Sequence, residues 1–138
     1  MYTHHVQIRV CYADTDQMGY VYYGNYARYF EIARVECLRN LGFSYKELEA
    51  SGIMMPVFEY NTRYMQPAQY DDLLTVKVTV HTLPKVRMVF DYEIYNEQQT
   101  LLTTGHTTLV FINRQTKRPC PAPQPLLLKL NPYFTPYA

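Results

Sequence analysis

The hydrophobic and polar positions of the chain follow two different periods, and these periods predict its secondary structure. Val6, Ile8 and Val10 alternate with polar residues, which predicts a half-buried β-strand near the N-terminus. From about residue 26 to residue 41 the spacing becomes helical. The apolar stripe of this predicted helix consists of Tyr26, Phe30, Ala33, Cys37 and Leu41.

Local signals predict where the helices begin and end. Asn25 is expected to be the N-cap of the long helix, and Gly42 is expected to terminate it. Ser44 and Glu47 have the spacing of a capping box, which predicts a second, short helix that ends near Gly52. Several apolar residues of the long helix lie outside its stripe, so we expect a sheet to wrap around much of it.

After residue 52 the period changes to two, which predicts β-strands. Residues 53–64 are predicted to form a strand that bends near Pro56, and residues 74–80, 86–94 and 101–113 to form three further strands. Short turns between these three strands favour an antiparallel meander. The order strand, long helix, strand, meander predicts an α+β fold with one major helix on one face of a sheet.

The C-terminal segment is rich in proline. Pro119, Pro121, Pro123 and Pro125 predict an extended, non-helical path. The apolar residues 126–130 follow this path, and we expect them to dock on the body of the protein or on a neighbouring molecule. We therefore treat residues 119–138 as an extension of a single domain that comprises residues 1–138.

Composition narrows the classes of function. The chain has 13 basic and 12 acidic residues among 138, so charge favours neither nucleic acid nor an anionic membrane as a partner. No apolar run approaches the ~20 residues that span a bilayer, and the N-terminus lacks the features of a signal peptide. Cys11, Cys37 and Cys120 show neither a disulfide framework nor metal-site spacing, and free thiols favour a cytoplasmic protein.

The candidate chemistry is concentrated in residues 12–26. Asp14 and Asp16 stand one residue apart, Gly19 permits a turn, and an aromatic run leads directly into the long helix. The first N–H groups of a helix have no partner within the helix, and with the helix dipole they can polarise a carbonyl oxygen. A carboxylate beside them can attack the carbonyl carbon or activate water. This combination predicts acyl chemistry, and we expect a thioester hydrolase.

Residues 14–26 form the motif Asp-x-Asp-x-x-Gly-x-Val-Tyr-x-x-Asn-Tyr. This motif resembles the signature of hotdog-fold acyl-CoA thioesterases, most closely the group that includes 4-hydroxybenzoyl-CoA thioesterase. The resemblance extends from Val6 to about Pro121 and includes the long helix, the strand with Pro56 and the turn at residues 70–72. It implies one hotdog domain, in which a five-stranded antiparallel sheet wraps a long central helix, and a hydrolase that needs no cofactor and no metal.

The resemblance also assigns roles to residues of the motif. Asp16 is implied to be the catalytic carboxylate, acting on the thioester carbonyl as nucleophile or as the base for water, and the sequence leaves both routes open. The backbone N–H groups of Gly19, Tyr23 and Gly24 are implied to polarise that carbonyl, whereas Asp14 is expected to hold the loop. Many bacterial relatives have histidine in place of Tyr23, so here the chemistry falls on Asp16 and the backbone donors.

Further residues are predicted to bind the substrate. The acyl pocket is expected to include Tyr22, Tyr23, Tyr26, Phe58 and Tyr60, although core packing is the other interpretation of these aromatic side chains. Basic side chains that suit the phosphates of CoA are Arg63, Lys85, Arg87, Arg114, Lys117 and Arg118. Family members are dimers whose sheets join across a two-fold axis with the site at the interface, so a homodimer, extended to a homotetramer, is implied.

Other interpretations remain open at this point. A hotdog dehydratase usually needs a histidine base, and none of the four histidines lies in residues 12–26. Glu31 and Glu36 lie beyond the first turn of the long helix, so a solvated or ion-paired role is favoured for both. A non-catalytic module that binds acyl-CoA or an acyl-carrier protein is a third interpretation, and the acyl group itself is not predicted.

Overall fold

The computed structural model describes residues 1–134 and places one long helix against one face of an antiparallel sheet. The helices are α1 (Tyr26–Leu41), α2 (Tyr45–Ala50) and α3 (Gln124–Leu130). The strands are β1 (Tyr2–Arg9), β2 (Ile53–Met54), β3 (Val57–Tyr64), β4 (Leu73–Val80), β5 (Arg87–Tyr95), β6 (Leu101–Val110) and β7 (Ile112–Asn113). The main sheet has five strands in the order β1-β4-β5-β6-β3, and β2 pairs with β7 in a separate ribbon. This arrangement confirms the predicted α+β fold.

Buried and partly exposed side chains alternate along the central strands, and the buried ones form the core between the sheet and α1. The side chains of β4 and β5 that face the helix are buried, among them Val76, Val78, Phe90 and Ile94. Phe30 of α1 stacks on Tyr92 of β5, with the ring centroids 4.4 Å apart. Gly105 of β6 lies beneath the same Phe30 ring, and a Cβ at this position would be 2.5 Å from two ring carbons. The helix therefore comes close to the sheet at a place where β6 has no side chain.

The structure agrees with the predicted end of α1 and with the predicted N-cap position at its start, but the Asn25 side chain makes no capping bond. Gly42 has a left-handed conformation (φ 93°), and its N–H donates to the carbonyl of Arg39, so the helix terminates as predicted. Asn25, the predicted N-cap, instead lies in a 3-10 turn, Tyr23–Asn25, that continues into α1, and its side chain makes no capping bond. Its Nδ2 donates to the Asp14 carbonyl oxygen over 2.8 Å. Asn25 therefore occupies the predicted N-cap position, but its backbone is already helical (φ −77°, ψ −16°) and its side chain binds the preceding loop instead of capping the helix.

Other local predictions are confirmed with small changes. Ser44 Oγ accepts a hydrogen bond from the Glu47 N–H and caps α2 as expected. The strand predicted over residues 53–64 is divided into β2 and β3 around Pro56, and the last predicted strand is divided into β6 and β7. Within residues 1–134, no helix is both long and apolar enough to cross a membrane.

β3 is an edge strand, and most of its residues are exposed. One edge of β3 pairs with β6, and the other edge has no neighbouring strand in the described part of the chain. Its large exposed hydrophobic side chains are Val57, Phe58, Tyr60 and Tyr64. An open edge that carries exposed aromatic side chains is a surface that proteins normally cover.

The proline-rich segment is extended only in part. Residues 121–123 have no regular structure, but Gln124–Leu130 form α3, with Pro125 in the first turn, where the missing proline N–H is not needed. The prediction of a non-helical path through Pro125 is therefore wrong. Leu126 and Leu130 are fully buried, so the apolar segment docks on the body of the protein. Residues 135–138, the end of the predicted extension, lie outside the described residues.

The N-terminus and the segment after α3 meet beside the C-terminal end of α1. The amino group of Met1 donates to the Tyr133 carbonyl over 2.7 Å, and the rings of Tyr2 and Tyr133 pack edge to face with their centroids 4.7 Å apart. The Tyr2 hydroxyl in turn donates to the carbonyl of Cys37 in α1. These contacts lie at the opposite end of the helix from the Asp14–Tyr26 motif.

Candidate functional site

Asp16 stands in a tight hairpin formed by residues 15–21. Its N–H donates to the Tyr20 carbonyl (2.8 Å), and its carbonyl accepts from the Gly19 N–H (3.0 Å). Gly19 has a φ of 79°, the left-handed position of a three-residue hairpin loop. The glycine therefore permits the turn that presents Asp16.

One oxygen of the Asp16 carboxylate is held by the turn. Oδ1 accepts hydrogen bonds from the Met18 N–H (2.9 Å) and the Tyr20 N–H (3.3 Å). Among residues 1–134 the structure shows no further hydrogen bond to this carboxylate and no ion pair with it. The turn thus orients the half-buried side chain and leaves Oδ2 free.

Asp16 lines a cleft of about 360 Å³ at the N-terminal end of α1. This volume lies within the range of small-molecule sites. The cleft is also lined by Tyr23, Tyr26, Tyr64 and Met65. Tyr26 is its buried part: the hydroxyl accepts a hydrogen bond from the Ala68 N–H, and burial raises the pKa of Tyr26, so this phenol stays neutral.

Two consecutive backbone donors stand free at the start of the 3-10 turn, and the first belongs to Tyr23, which lines this cleft. The N–H groups of Tyr23 and Gly24 begin the 3-10 turn that leads into α1, and neither has an acceptor within the described residues. The Gly19 N–H differs, because it already donates to the Asp16 carbonyl. Of the three predicted carbonyl-polarising amides, the structure therefore leaves those of Tyr23 and Gly24 available.

Asp14 ties the loop to the first turns of α1. Its buried carboxylate accepts hydrogen bonds from the Cys11 N–H (3.1 Å), the Tyr29 hydroxyl (2.9 Å) and the Arg28 guanidinium (2.6 Å). Burial alone would raise the pKa of Asp14, but these hydrogen bonds and the charge of Arg28 outweigh burial and hold the pKa below its ordinary value. The charged network therefore stabilises the fold at neutral pH and is lost as the pH falls through that lowered pKa. This supports the structural role expected for Asp14.

The predicted pocket residues do not all meet in one protomer. Tyr23 and Tyr26 line the cleft with Asp16. Tyr22 is exposed and lies against the Tyr23 ring, and Tyr60 packs on Phe30. Phe58 lies in a separate groove at the other end of β3. Sequence reasoning missed Tyr64, although it falls on the same face of β3 as Tyr60 by the alternation of the strand.

The basic residues predicted to bind CoA also lie away from the cleft of the same protomer. The Arg87 guanidinium stacks on the Phe58 ring at 4.7 Å, in an apolar groove of about 320 Å³ that Pro119 helps to form. Arg63 lies on the sheet face opposite α1. Further exposed basic residues adjoin the Phe58 groove in sequence, namely Lys85, Arg114, Lys117 and Arg118.

Three further acidic and histidine candidates, Glu31, Glu36 and His106, lie outside the cleft. Glu31 is exposed, and Glu36 pairs with Arg39 one turn further along α1. His106 Nδ1 lies 2.7 Å from Asp91 Oδ1 on the outer sheet face. Within the described part of the chain, no group of histidine, cysteine and acidic side chains has the arrangement of a metal site.

Comparison with known proteins identifies relatives of this chain. A model of the thioesterase-like superfamily matches residues 10–130. The acyl-CoA thioester hydrolase YbgC of Escherichia coli O6:H1 is 31% identical over 120 residues, which are 87% of this chain and 90% of that protein. The solved DHNA-CoA thioesterase of Staphylococcus aureus is 39% identical with a TM-score of 0.83, and the match covers 97% of this chain and 85% of that one.

A second solved structure matches over a greater share of its own length. The 1,4-dihydroxy-2-naphthoyl-CoA thioesterase Slr0204 of Synechocystis is 26% identical with a TM-score of 0.88, and the match covers 97% of this chain and 99% of that one. The likeness confirms the hotdog fold implied by the motif at residues 14–26. The chain belongs to the thioesterase-like superfamily and is an enzyme of the acyl-CoA thioester hydrolase family.

Proposed function

We propose that this protein hydrolyses an acyl-CoA thioester to a free carboxylic acid and CoA, with Asp16 as the catalytic carboxylate. The observation that carries the proposal is one cleft lined both by Asp16, whose carboxylate has a free oxygen, and by Tyr23, whose backbone N–H and that of the next residue have no acceptor in the described residues. The donors, the Tyr23 and Gly24 N–H groups, lie at a helix start, where the helix dipole favours negative charge.

The proposed reaction begins when the thioester carbonyl oxygen accepts hydrogen bonds from Tyr23 and Gly24. Negative charge develops on this oxygen as the carbonyl carbon is attacked, and one such donor is typically worth about 10²–10³ in rate. In one route Asp16 Oδ2 attacks the carbon, the C–S bond breaks, and water hydrolyses the mixed anhydride. In the other route Asp16 takes a proton from water, whose oxygen attacks, and the departing thiolate receives a proton.

A homodimer would complete this site. The open edge of β3 carries the exposed side chains that a second strand would cover, and a two-fold axis would pair the two copies of β3 in antiparallel fashion. Antiparallel pairing sets the Phe58 end of one strand beside the Tyr64 end of the other. The Phe58 groove, with Arg87 and its basic neighbours, would then adjoin the Asp16 cleft of the partner subunit and could hold the CoA phosphates.

This arrangement predicts that two defective variants restore each other. Arg87→Glu is expected to raise KM for acyl-CoA, and Asp16→Asn is expected to remove turnover. When the two variants are unfolded together and refolded, mixed dimers should contain one intact site each, so about a quarter of all sites should be intact. Activity at low substrate concentration should then exceed that of either variant refolded alone.

The same mixture can also contradict a site shared between two subunits. If the site lies within one subunit, every site keeps one of the two defects, and the mixture should show only the average of the separate activities. A matched mixture of Asp16→Asn with the wild-type protein fixes the activity expected for a known fraction of intact sites.

The activity itself is tested by release of the CoA thiol. The panel contains acetyl-CoA, octanoyl-CoA, palmitoyl-CoA, benzoyl-CoA and 1,4-dihydroxy-2-naphthoyl-CoA, the last because two of the matched structures are named for that substrate. A thiol-reactive dye should report release with at least one member at a rate proportional to enzyme concentration. Binding of these thioesters without any release would instead support a non-catalytic acyl-CoA module and would contradict the proposal.

A further inference from the structure

We infer that Tyr64 is a positioning residue whose hydroxyl bond to the Tyr23 carbonyl strengthens the Gly24 N–H as a donor to the substrate. The inference rests on the proposed function, because it concerns one of the two amides assigned to the thioester carbonyl. Tyr64 has no assigned role in the motif of residues 14–26, and it is 41 residues from Tyr23 in the chain.

The Tyr64 side chain is 45% exposed, and packing holds its ring on one side. Tyr64 is the last residue of β3, and its ring packs edge to face on Tyr26 with the centroids 5.1 Å apart. Tyr26 is itself buried and hydrogen-bonded to the Ala68 N–H. From this place the Tyr64 hydroxyl donates to the Tyr23 carbonyl oxygen over 3.3 Å. The bond therefore links the edge strand to the start of α1 across the cleft.

The carbonyl that accepts this bond belongs to the same peptide group as the Gly24 N–H. A peptide group is one conjugated unit, so hydrogen bonds accepted by its oxygen draw electron density from its nitrogen and make its N–H a stronger donor. The Tyr23 oxygen also accepts from the Tyr26 N–H. Two donors thus act on one carbonyl, while the N–H on the other side of the peptide bond points to no acceptor in the described chain.

The turn is held from both sides. On the side away from Tyr64, the Asp14 carbonyl accepts from the Tyr22 N–H (2.9 Å) and from the Asn25 side chain (2.8 Å). These bonds anchor Tyr22 and Asn25, the residues on either side of the Tyr23–Gly24 pair. A glycine in such a turn would otherwise be free to rotate its peptide. Tyr64 supplies the contact on the cleft side, where the thioester carbonyl would bind.

Tyr64→Phe tests this role because it removes the hydroxyl and keeps the ring that packs on Tyr26. With the best substrate of the acyl-CoA panel, kcat should fall roughly 2- to 8-fold, since each cooperative hydrogen bond strengthens its neighbour by about 10–30% and an oxyanion donor is worth about 10²–10³ in rate. KM should change less than kcat, because the donor matters most when charge develops on the oxygen.

Tyr2→Phe is the matched control. The Tyr2 hydroxyl also donates to a backbone carbonyl of α1, that of Cys37, but at the far end of the helix. Its loss should leave kcat unchanged. An equal fall of kcat in both variants would overturn the inference, as would an unchanged kcat in Tyr64→Phe or a change confined to KM, which would indicate direct contact with substrate.

The hydrogen bond can also be measured without turnover. The amide ¹⁵N shift of a residue responds to hydrogen bonding at the carbonyl of the residue before it, so Tyr64→Phe should move the Gly24 ¹⁵N resonance upfield. Tyr2→Phe should leave this resonance unchanged. An unmoved Gly24 resonance in Tyr64→Phe would overturn the inference while the proposed hydrolysis stands, whereas a wild-type protein inactive on the whole panel would remove the proposed function itself.

Discussion

Asp16→Asn is expected to reduce hydrolysis of acyl-CoA by about 10²–10⁴-fold or more, because the amide can neither attack the carbonyl carbon nor accept a proton from water. The fold should be retained. The asparagine side-chain oxygen can still accept from the Met18 and Tyr20 N–H groups, so the hairpin keeps its bonds. The measurement is kcat/KM with the best acyl-CoA of the panel, together with thermal unfolding of both proteins.

A control variant separates catalysis from the structure of a loop. Asp72 also uses its carboxylate to hold a turn, since Oδ2 accepts from the Gln69 N–H over 2.8 Å. Asp72→Asn should therefore keep near wild-type activity. If Asp16→Asn were as active as the wild-type enzyme, or if both variants lost activity together with their stability, the catalytic assignment of Asp16 would be wrong.

Gly105→Ala is expected to destabilise the protein by about 1–3 kcal/mol, the usual cost of overpacking a filled core. The added Cβ would be 2.5 Å from the Phe30 ring, which is stacked on Tyr92 and has no space to retreat into the sheet. A loss of stability would be informative, because alanine in place of glycine within a strand would otherwise raise the free energy of unfolding. Denaturant unfolding at equilibrium measures the difference in free energy.

Thr104→Ala provides the comparison for this prediction. Thr104 is the neighbouring residue on β6, and its side chain faces the opposite side of the sheet. Truncating this side chain should change the free energy of unfolding by less than Gly105→Ala does. A Gly105→Ala protein as stable as the wild type would mean that α1 and the sheet separate easily. The cleft at the start of α1 would then be less rigidly placed than the packing of Phe30 indicates.

The sequence predicted the fold well because its elements are amphipathic and regularly spaced. The 3.6-residue period fixed α1, the two-residue period fixed the strands, and Gly42 fixed where α1 ends. The failures arose where a distant group decided the local structure. Asn25 was expected to cap a helix, but the Asp14 carbonyl, eleven residues earlier, takes its amide. Pro125 was expected to prevent a helix, but burial of Leu126 and Leu130 favours a helix that begins just before it.

The candidate site also contains residues that local sequence predicts and residues that only distant contacts bring to it. Asp16, Tyr23 and Tyr26 line one cleft and lie within one short stretch, so local sequence was enough to predict that they come together. Tyr64 reaches the cleft only because β3 pairs with β6 at the edge of the sheet, and no local pattern reveals that pairing. Roles for Phe58 and the basic residues near it stay predictions, since they depend on a second subunit along the open edge.

The contacts between Met1, Tyr2 and Tyr133 have a practical consequence for studying the enzyme. They lie beside the C-terminal end of α1, and the cleft lies at its N-terminal end; a helix of 16 residues separates the two by about 24 Å. A fluorophore or a surface anchor attached near these contacts would therefore leave the mouth of the cleft unobstructed. Labelled or immobilised enzyme should admit acyl-CoA as freely as enzyme in solution.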